Sequence, residues 1–387
     1  MKRGRQEKKT SSPSPKQQHH SDIEKSYGIH VPLDLTVEIL SRLPVKSTVR
    51  FQCVSKLWSS LITDSIMTWS LSKPRLLVFL DRPLLKSSVF SLSGCLLSTN
   101  KEPISTEQDS NTLDSGFVIK KMYQYTRGLI CYLSSYDQFV IHNPTTRQSL
   151  LLPEIKREKR WCFMDGLFGY DPVYNQYKVL CFISSVEKES VSCQIFTLGD
   201  PKKQWRNIRG FDRFISLNWS PRVCINGKIY FTVDRYVLMG FDVRSETLLD
   251  HGGIPKNQFR NMTLVNYQGK LGCIGYSDNI AEMWVMEDQT EKQEWSKISF
   301  LMYSRGPCLL EDTPSIVGVT PNGEVVIMPM VLYPAQTLWA YFYDPKKNKT
   351  IRVEFESTFK EDHKYRKDIF GVPNHVENPR SLLDSFN

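Results

Sequence analysis

A two-part α+β fold is predicted: a small three-helix module, then a mainly antiparallel β domain built as a propeller-like array of about six β units. Three observations predict it. Only residues 30–62 carry apolar side chains at compact helical spacing. From residue 74 onward, short apolar runs are bounded by Gly, Asn, Asp and Pro, which is strand chemistry. Those runs recur as units at intervals of roughly 40–55 residues, the size of a four-stranded propeller blade. The intervals are irregular, so a β-sandwich of similar strands stands as the alternative.

Residues 1–28 hold Lys, Arg, Ser, Pro, Gln and His with almost nothing apolar, the composition of a disordered tail. Lys2, Arg3, Arg5, Lys8, Lys9 and Lys16 face Glu7 alone in the first twenty residues, so +5 of the formal net charge of +9 sits there. The run reads either as a solubilising tail or as a nuclear localisation signal. The rest of the chain is close to charge balance, which argues against a nucleic-acid-binding surface.

In the helical module, Pro32 suits a first helical position, where a missing N–H costs nothing, and Asp34 complements the helix dipole in the first turn. Leu35, Ile39 and Leu43 are spaced four apart with Leu40 beside them, forming one apolar stripe. Pro44 ends that helix and opens a second, in which Val45, Val49 and Cys53 line a face. A third segment places Val54, Leu57, Trp58 and Leu61 at helical spacing. A module below about 40 residues cannot bury all these groups by itself. The excess meets either the rest of the chain or another protein, and chemistry alone leaves both readings open.

Residues 63–73 read as a connection holding Trp69. Residues 75–80 and 88–92 form a first strand pair, and the polar stretch 98–115 reads as a loop. Then a grammar repeats. Gly128 opens the strand 129–132, and 139–142 returns to a stop at Asn143-Pro144. Asn226-Gly227, Gln268-Gly269 and Asn322-Gly323 open three further units, and a looser one follows Asp171-Pro172. Each opening glycine fits a turn that needs φ > 0, and each proline stops a ladder. Residues 369–383 close the ring by pairing with the first strands.

Pro32, Asp34, Leu35, Glu38, Ile39, Leu40, Arg42, Leu43, Pro44, Lys46, Ser47, Arg50, Phe51, Val54, Lys56, Trp58, Leu61 and Ile62 together make a dense pattern. It resembles the F-box of plant F-box proteins, with mild departures at Val31, Thr48 and Ser55. The β region resembles the F-box-associated domain of the same proteins through Arg127-Gly128-Leu129-Ile130, Asn143-Pro144-Thr145-Thr146-Arg147, Phe168-Gly169-Tyr170-Asp171-Pro172 and Asn226-Gly227-Lys228-Ile229-Tyr230. The resemblance implies an F-box module and its connection over 29–73 and an associated domain over 74–387. It implies docking to a Skp1-like adaptor, and through it to cullin-1 and a RING subunit of a ubiquitin ligase. Val31, Pro32, Leu35, Ile39, Leu40, Leu43, Pro44, Val45, Val49, Val54 and Trp58 are the implied adaptor contacts. The target protein is unknown. Candidate recognition loops on one face of the β domain are 99–115, 153–161 and 199–220, where Arg160, Trp161, Lys203 and Trp205 mix cations with aromatics.

No phosphate loop, metal-binding helix or nucleophile elbow is written in the chain, so no cofactor and no metal is expected. His142 reads as a satisfied strand histidine and His251 as a turn residue; Asp171, Asp242 and Asp344 read as turn caps. The nine cysteines are scattered singly, no apolar run reaches a membrane-spanning length, and no secretory signal opens the chain. The expected location is therefore intracellular, nucleus and/or cytoplasm, with no membrane partner. An adaptor-bound scaffold outside a ligase, and an enzyme on a propeller scaffold, are the competing functional readings.

Overall fold

The computed structural model describes residues 31–43, 47, 50–51, 53–62, 75–81, 88–92, 109–112, 119–134, 137–155, 162–185, 190–208, 222–233, 237–255, 261–276, 280–287, 294–301, 314–333, 336–355, 367–378 and 380–382. Two compact units divide the chain between Arg42 and Leu43. In the first, helix α1 spans Leu33–Arg42 with Asp34 in its first turn. Its opening bond runs from the Thr36 N–H to the Pro32 carbonyl, at 2.9 Å. Pro32 therefore sits one place earlier than expected, as the flanking cap whose carbonyl accepts the first helical bond.

The second unit holds six antiparallel sheets, and they follow one another along the chain. Blade 1 takes β1 (Arg75–Asp81), β2 (Ser88–Leu92) and β3 (Asp109–Thr112). Blade 2 is β4 (Ile119–Thr126), β5 (Leu129–Ser134), β6 (Phe139–Asn143) and β7 (Gln148–Leu151). Blade 3 is β8 (Cys162–Asp171), β9 (Gln176–Ser185), β10 (Ser190–Thr197) and β11 (Arg206–Ile208). Blade 4 is β12 (Arg222–Ile225), β13 (Lys228–Val233), β14 (Val237–Asp242) and β15 (Thr247–Gly253). Blade 5 is β16 (Asn261–Tyr267), β17 (Lys270–Tyr276), β18 (Ile280–Met286) and β19 (Trp295–Leu301). Blade 6 is β20 (Pro314–Val319), β21 (Val325–Pro329), β23 (Leu338–Asp344) and β24 (Lys349–Phe355); the two-residue β22 (Val331–Leu332) leaves it. The last strand, β25 (Lys367–His375), returns to pair with β1, and β22 pairs with β25 on its other side. This is a six-bladed propeller rather than a sandwich.

Six hydrophobic clusters show why the ring holds. Each lies between two adjacent blades. Leu77, Phe79 and Val372 meet Ile130, Tyr132 and Val140 between blades 1 and 2. Leu76, Val78 and Leu80 turn the other way and meet Val326, Met328 and Phe342 of blade 6. The alternation of side chains along β1 thus feeds two different interfaces. A strand buried on both faces reads as a continuous apolar run, as Leu76–Leu80 and Leu129–Leu133 do.

The turns follow the expected grammar. Arg127-Gly128, Asn226-Gly227 and Gln268-Gly269 have positive φ at both residues, the geometry of a type I′ hairpin. Asn143, Asp171, Asp242 and Asp344 each accept from the backbone N–H two residues on. The polar stretch 98–115 differs from expectation, because β3 lies inside it and pairs with β2. Its sequence Asp-Ser-Asn-Thr carries no apolar periodicity, and an outer edge strand needs none. His251 also differs. It lies in β15, 9% exposed, with its ring 5.4 Å from that of Tyr230.

Candidate functional site

The helix α1 has two apolar faces, and they meet different fates. Leu40 and Thr36, four residues apart, are 0% and 5% exposed. Leu35 and Ile39, also spaced four apart, are 50% and 49% exposed, with Leu33 beside them at 50% and Val31, just ahead of the cap, at 40%. Pro32 is exposed and Leu43 half-buried. A large apolar side chain left in water forgoes roughly 1.5–3 kcal/mol of burial, so such a group marks a surface built to be covered.

In the second unit, residues 56–62 are helical. Ser55 caps them, its Oγ accepting from the Trp58 N–H at 3.1 Å. The indole of Trp58 stands edge-on to Phe51, 5.6 Å between centroids. Val54 lies in the turn ahead of the cap rather than on the helix, since Ser55 ends the preceding segment. Val54 and Leu57 are nonetheless the most exposed apolar side chains of this segment, at 58% and 56%, while Ile62 is fully buried. Pro44, Val45, Val49 and Trp69 lie outside the described residues.

Strand parity sorts the candidate loops of the propeller. The tight turns 127–128, 144–147, 172–175, 226–227, 243–246, 268–269 and 345–348 all join strands at one face, the tight-turn face. The connections from β7 to β8 and from β11 to β12 attach at the opposite face. Residues 198–205, joining β10 to β11, belong to the tight-turn face. The expected recognition loops therefore do not share one face. Arg160 and Trp161 lie outside the described residues. Lys203 is exposed at φ 48°. Trp205 is half-buried between Phe139 and Phe196, and its indole N–H donates to the Pro153 carbonyl at 2.8 Å. It acts as packing and loop anchor, which the burial of its neighbours requires.

The charged groups inside the ring are structural. Arg222 pairs with Asp165 at 2.8 Å and donates to the Gly166 carbonyl, and Gln124 donates to the same carbonyl, knitting the inner strands of blades 2, 3 and 4. Buried Lys178 bridges blade 3 to Glu246 and the Val243 carbonyl of blade 4. Burial alone would raise the Glu246 pKa, but Arg206 and Lys178 outweigh it and hold the carboxyl low. No group of three or more His, Cys, Asp or Glu side chains suited to a metal occurs among the described residues. No helix among them is long and apolar enough to cross a membrane.

Residues 29–69 match the F-box domain family, and residues 75–376 match the F-box associated beta propeller domain family. At5g50220 of Arabidopsis thaliana, a protein bearing an F-box name, is 39% identical over 99% of this chain and 100% of its own length. The F-box protein At1g52495 of the same plant is 38% identical over 92% of this chain and 88% of its own. Among solved structures, an oligogalacturonate lyase in complex with manganese is similar at a TM-score of 0.39 and 8% identity, covering 73% of this chain and 80% of the lyase. An F-box domain implies binding to a Skp1-type adaptor in general. By both domain matches and by these relatives, the chain belongs to the F-box proteins that carry an F-box associated β-propeller domain.

Proposed function

We propose that this chain is the substrate-recognition subunit of an SCF-type E3 ubiquitin ligase. Residues 29–73 dock on a Skp1-like adaptor and thereby reach cullin-1 and the RING subunit. Residues 74–387 hold a target protein, in the nucleus, the cytoplasm or both. The chain performs no bond chemistry. It raises the effective concentration of a target lysine beside a ubiquitin-charged conjugating enzyme.

The observation that carries this reading is the exposed pair Leu35 and Ile39 on a helix whose other face is already buried, with Val31 exposed just ahead of its cap. A helix serving only as a cap would turn such a pair inward. Pro32, Leu43, Pro44, Val45, Val49, Val54 and Trp58 complete the proposed adaptor contacts; Leu40, expected among them from the sequence, is fully buried and supports the helix from its covered face. Capture of the purified chain by an immobilised Skp1-like adaptor tests it. Leu35→Asp with Ile39→Asp changes only exposed positions, and each lost anchor should cost about 2 kcal/mol, roughly thirtyfold in affinity. Equal capture of wild type and double variant removes the reading. Capture without ubiquitination of any bound protein by the reconstituted ligase leaves an adaptor-bound scaffold instead.

A further inference from the structure

We propose that a cleft between blades 2 and 3, on the tight-turn face of the propeller, binds an anionic peptide segment of a partner protein. Its anionic group sits between Arg127 and Arg380, and an apolar side chain rests on Val173 and Tyr174. The proposal rests on the target-receptor reading and names a chemical class for the target.

The cleft has a volume of about 240 Å³ and is lined by Tyr177, Leu198, Gly199, Asn378, Arg380 and Leu382, among others. None of the described lining residues carries a carboxylate. Its walls are fixed by buried and part-buried hydrogen bonds. The Tyr177 hydroxyl donates to the Arg127 carbonyl at 2.8 Å, and the Asn378 amide donates to the Tyr177 oxygen at 2.9 Å. The Leu382 N–H donates to Gln148 at 2.7 Å. A cleft already in shape spares a ligand the entropy of ordering it.

Charge selects the occupant. Arg127 and Arg380 are both exposed, and neither is ion-paired among the described residues. Arg380 lines the cleft, and Arg127 adjoins it through its carbonyl, which accepts from the Tyr177 wall; burial raises the Tyr177 hydroxyl pKa, and both guanidiniums act on that hydroxyl in the opposite sense. Arg127 also lies over the Tyr170 ring at 4.9 Å, which holds its head in place. Lys202 stands exposed in the turn that follows Gly199. The nearby carboxylate of Asp200 accepts from the Lys202 backbone N–H.

The apolar half comes from the turn 172–175, whose Asn175 lines the cleft. Val173 and Tyr174 are 62% and 66% exposed, the highest values among the exposed large apolar side chains. They are not loose. Asp171 accepts from the Val173 N–H at 2.9 Å, Arg244 pairs with Asp171, and the Tyr170 hydroxyl donates to Asn175 at 2.5 Å. The Arg244 guanidinium lies 5.9 Å from the Tyr174 ring, and an exposed aromatic on a fixed turn at the rim of a cleft that carries a guanidinium has the make-up of an interaction hot spot. A peptide carboxylate and a phosphorylated side chain share the chemistry required.

The test uses the full chain purified with a Skp1-like adaptor and three degenerate fluorescent peptide pools. Each pool has a fixed leucine flanked by glutamate, by phosphoserine or by glutamine. Saturable binding of the glutamate or the phosphoserine pool is expected, with the glutamine pool at least about tenfold weaker. Arg380→Glu and Tyr174→Ala should each weaken the anionic pool about tenfold, with unchanged circular dichroism and adaptor capture. The stronger of the two anionic pools identifies the source of the charge. Saturation by neither pool, equal binding of the glutamine pool, or unchanged binding by Arg380→Glu overturns the proposal. Adaptor capture, read on the same preparation, reports separately on the ligase assignment.

Discussion

His142 is 2% exposed in β6, where its Nδ1 shares a 3.0 Å hydrogen bond with Ser149. Burial lowers its pKa from 6.5 to about 4. The unfolded chain therefore takes up a proton near pH 6.5 that the folded chain refuses until near pH 4. Stability from this residue is complete above pH 6.5 and is lost as pH falls through that window, about 2 kcal/mol by pH 5. His142→Gln should flatten that part of the profile. Urea midpoints of wild type and variant at pH 7.5 and pH 5.0 check it, and parallel shifts in both would refute it. The strand position of this histidine was legible from the Phe-Val-Ile-His-Asn-Pro run. Its neighbour in kind, His251, was not, because the following Gly252-Gly253 mimics a turn while belonging to β15. Trp205 carries a similar lesson. A tryptophan among lysines leaves a core reading and a recognition reading both open until the aromatic rings that enclose it are known, and here they favour the core.

At the scale of elements, the hairpin turns were the most legible part, because positive φ and side-chain capping demand particular residues at particular places. The short edge strands β3, β7 and β11 were not, since a strand with one free edge needs neither length nor alternation. In α1 the spacing showed apolar residues but not which of two apolar faces would be covered. That depends on packing, which periodicity does not encode. Residues 376–378 and 380–382 hold the fold without belonging to a strand or helix. Buried Asn143 donates to the Asn378 and Arg380 carbonyls, both at 2.9 Å, and Leu382 enters the cluster between blades 2 and 3. Asn143→Ala leaves two carbonyls and the turn 144–147 without their partner, and should cost about 2–4 kcal/mol. Thermal melts would show this as a drop of several degrees. An unchanged midpoint would mean that water replaces the amide.

At the scale of the molecule, the six inter-blade clusters make each blade depend on both neighbours, so the ring should unfold as one unit. The seam between β1 and β25 joins the two ends of the propeller in one blade. Removing residues 367–387 takes Val372 and Leu382 out of two clusters and leaves β1 with one free edge. The truncated chain is expected to bind hydrophobic dye and to lose its cooperative melt, measured by calorimetry. A sharp transition at the original temperature would show that five blades suffice. Ring closure was anticipated from the last apolar run of the chain. The blade count rested on spacing alone, and it became certain only with the cores between blades.

That seam also sets a timetable for synthesis. Arg75 pairs with His375, 300 residues later in the chain. At about 5–20 residues per second, the ribosome needs roughly 15–60 s to supply that partner. Over that interval Leu76–Leu80 emerges with one edge unpaired and without the blade 6 side chains that will cover it. Helix α1 emerges earlier still, before any blade of the propeller exists. In the order of synthesis, the first blade of the propeller is thus the last to be finished.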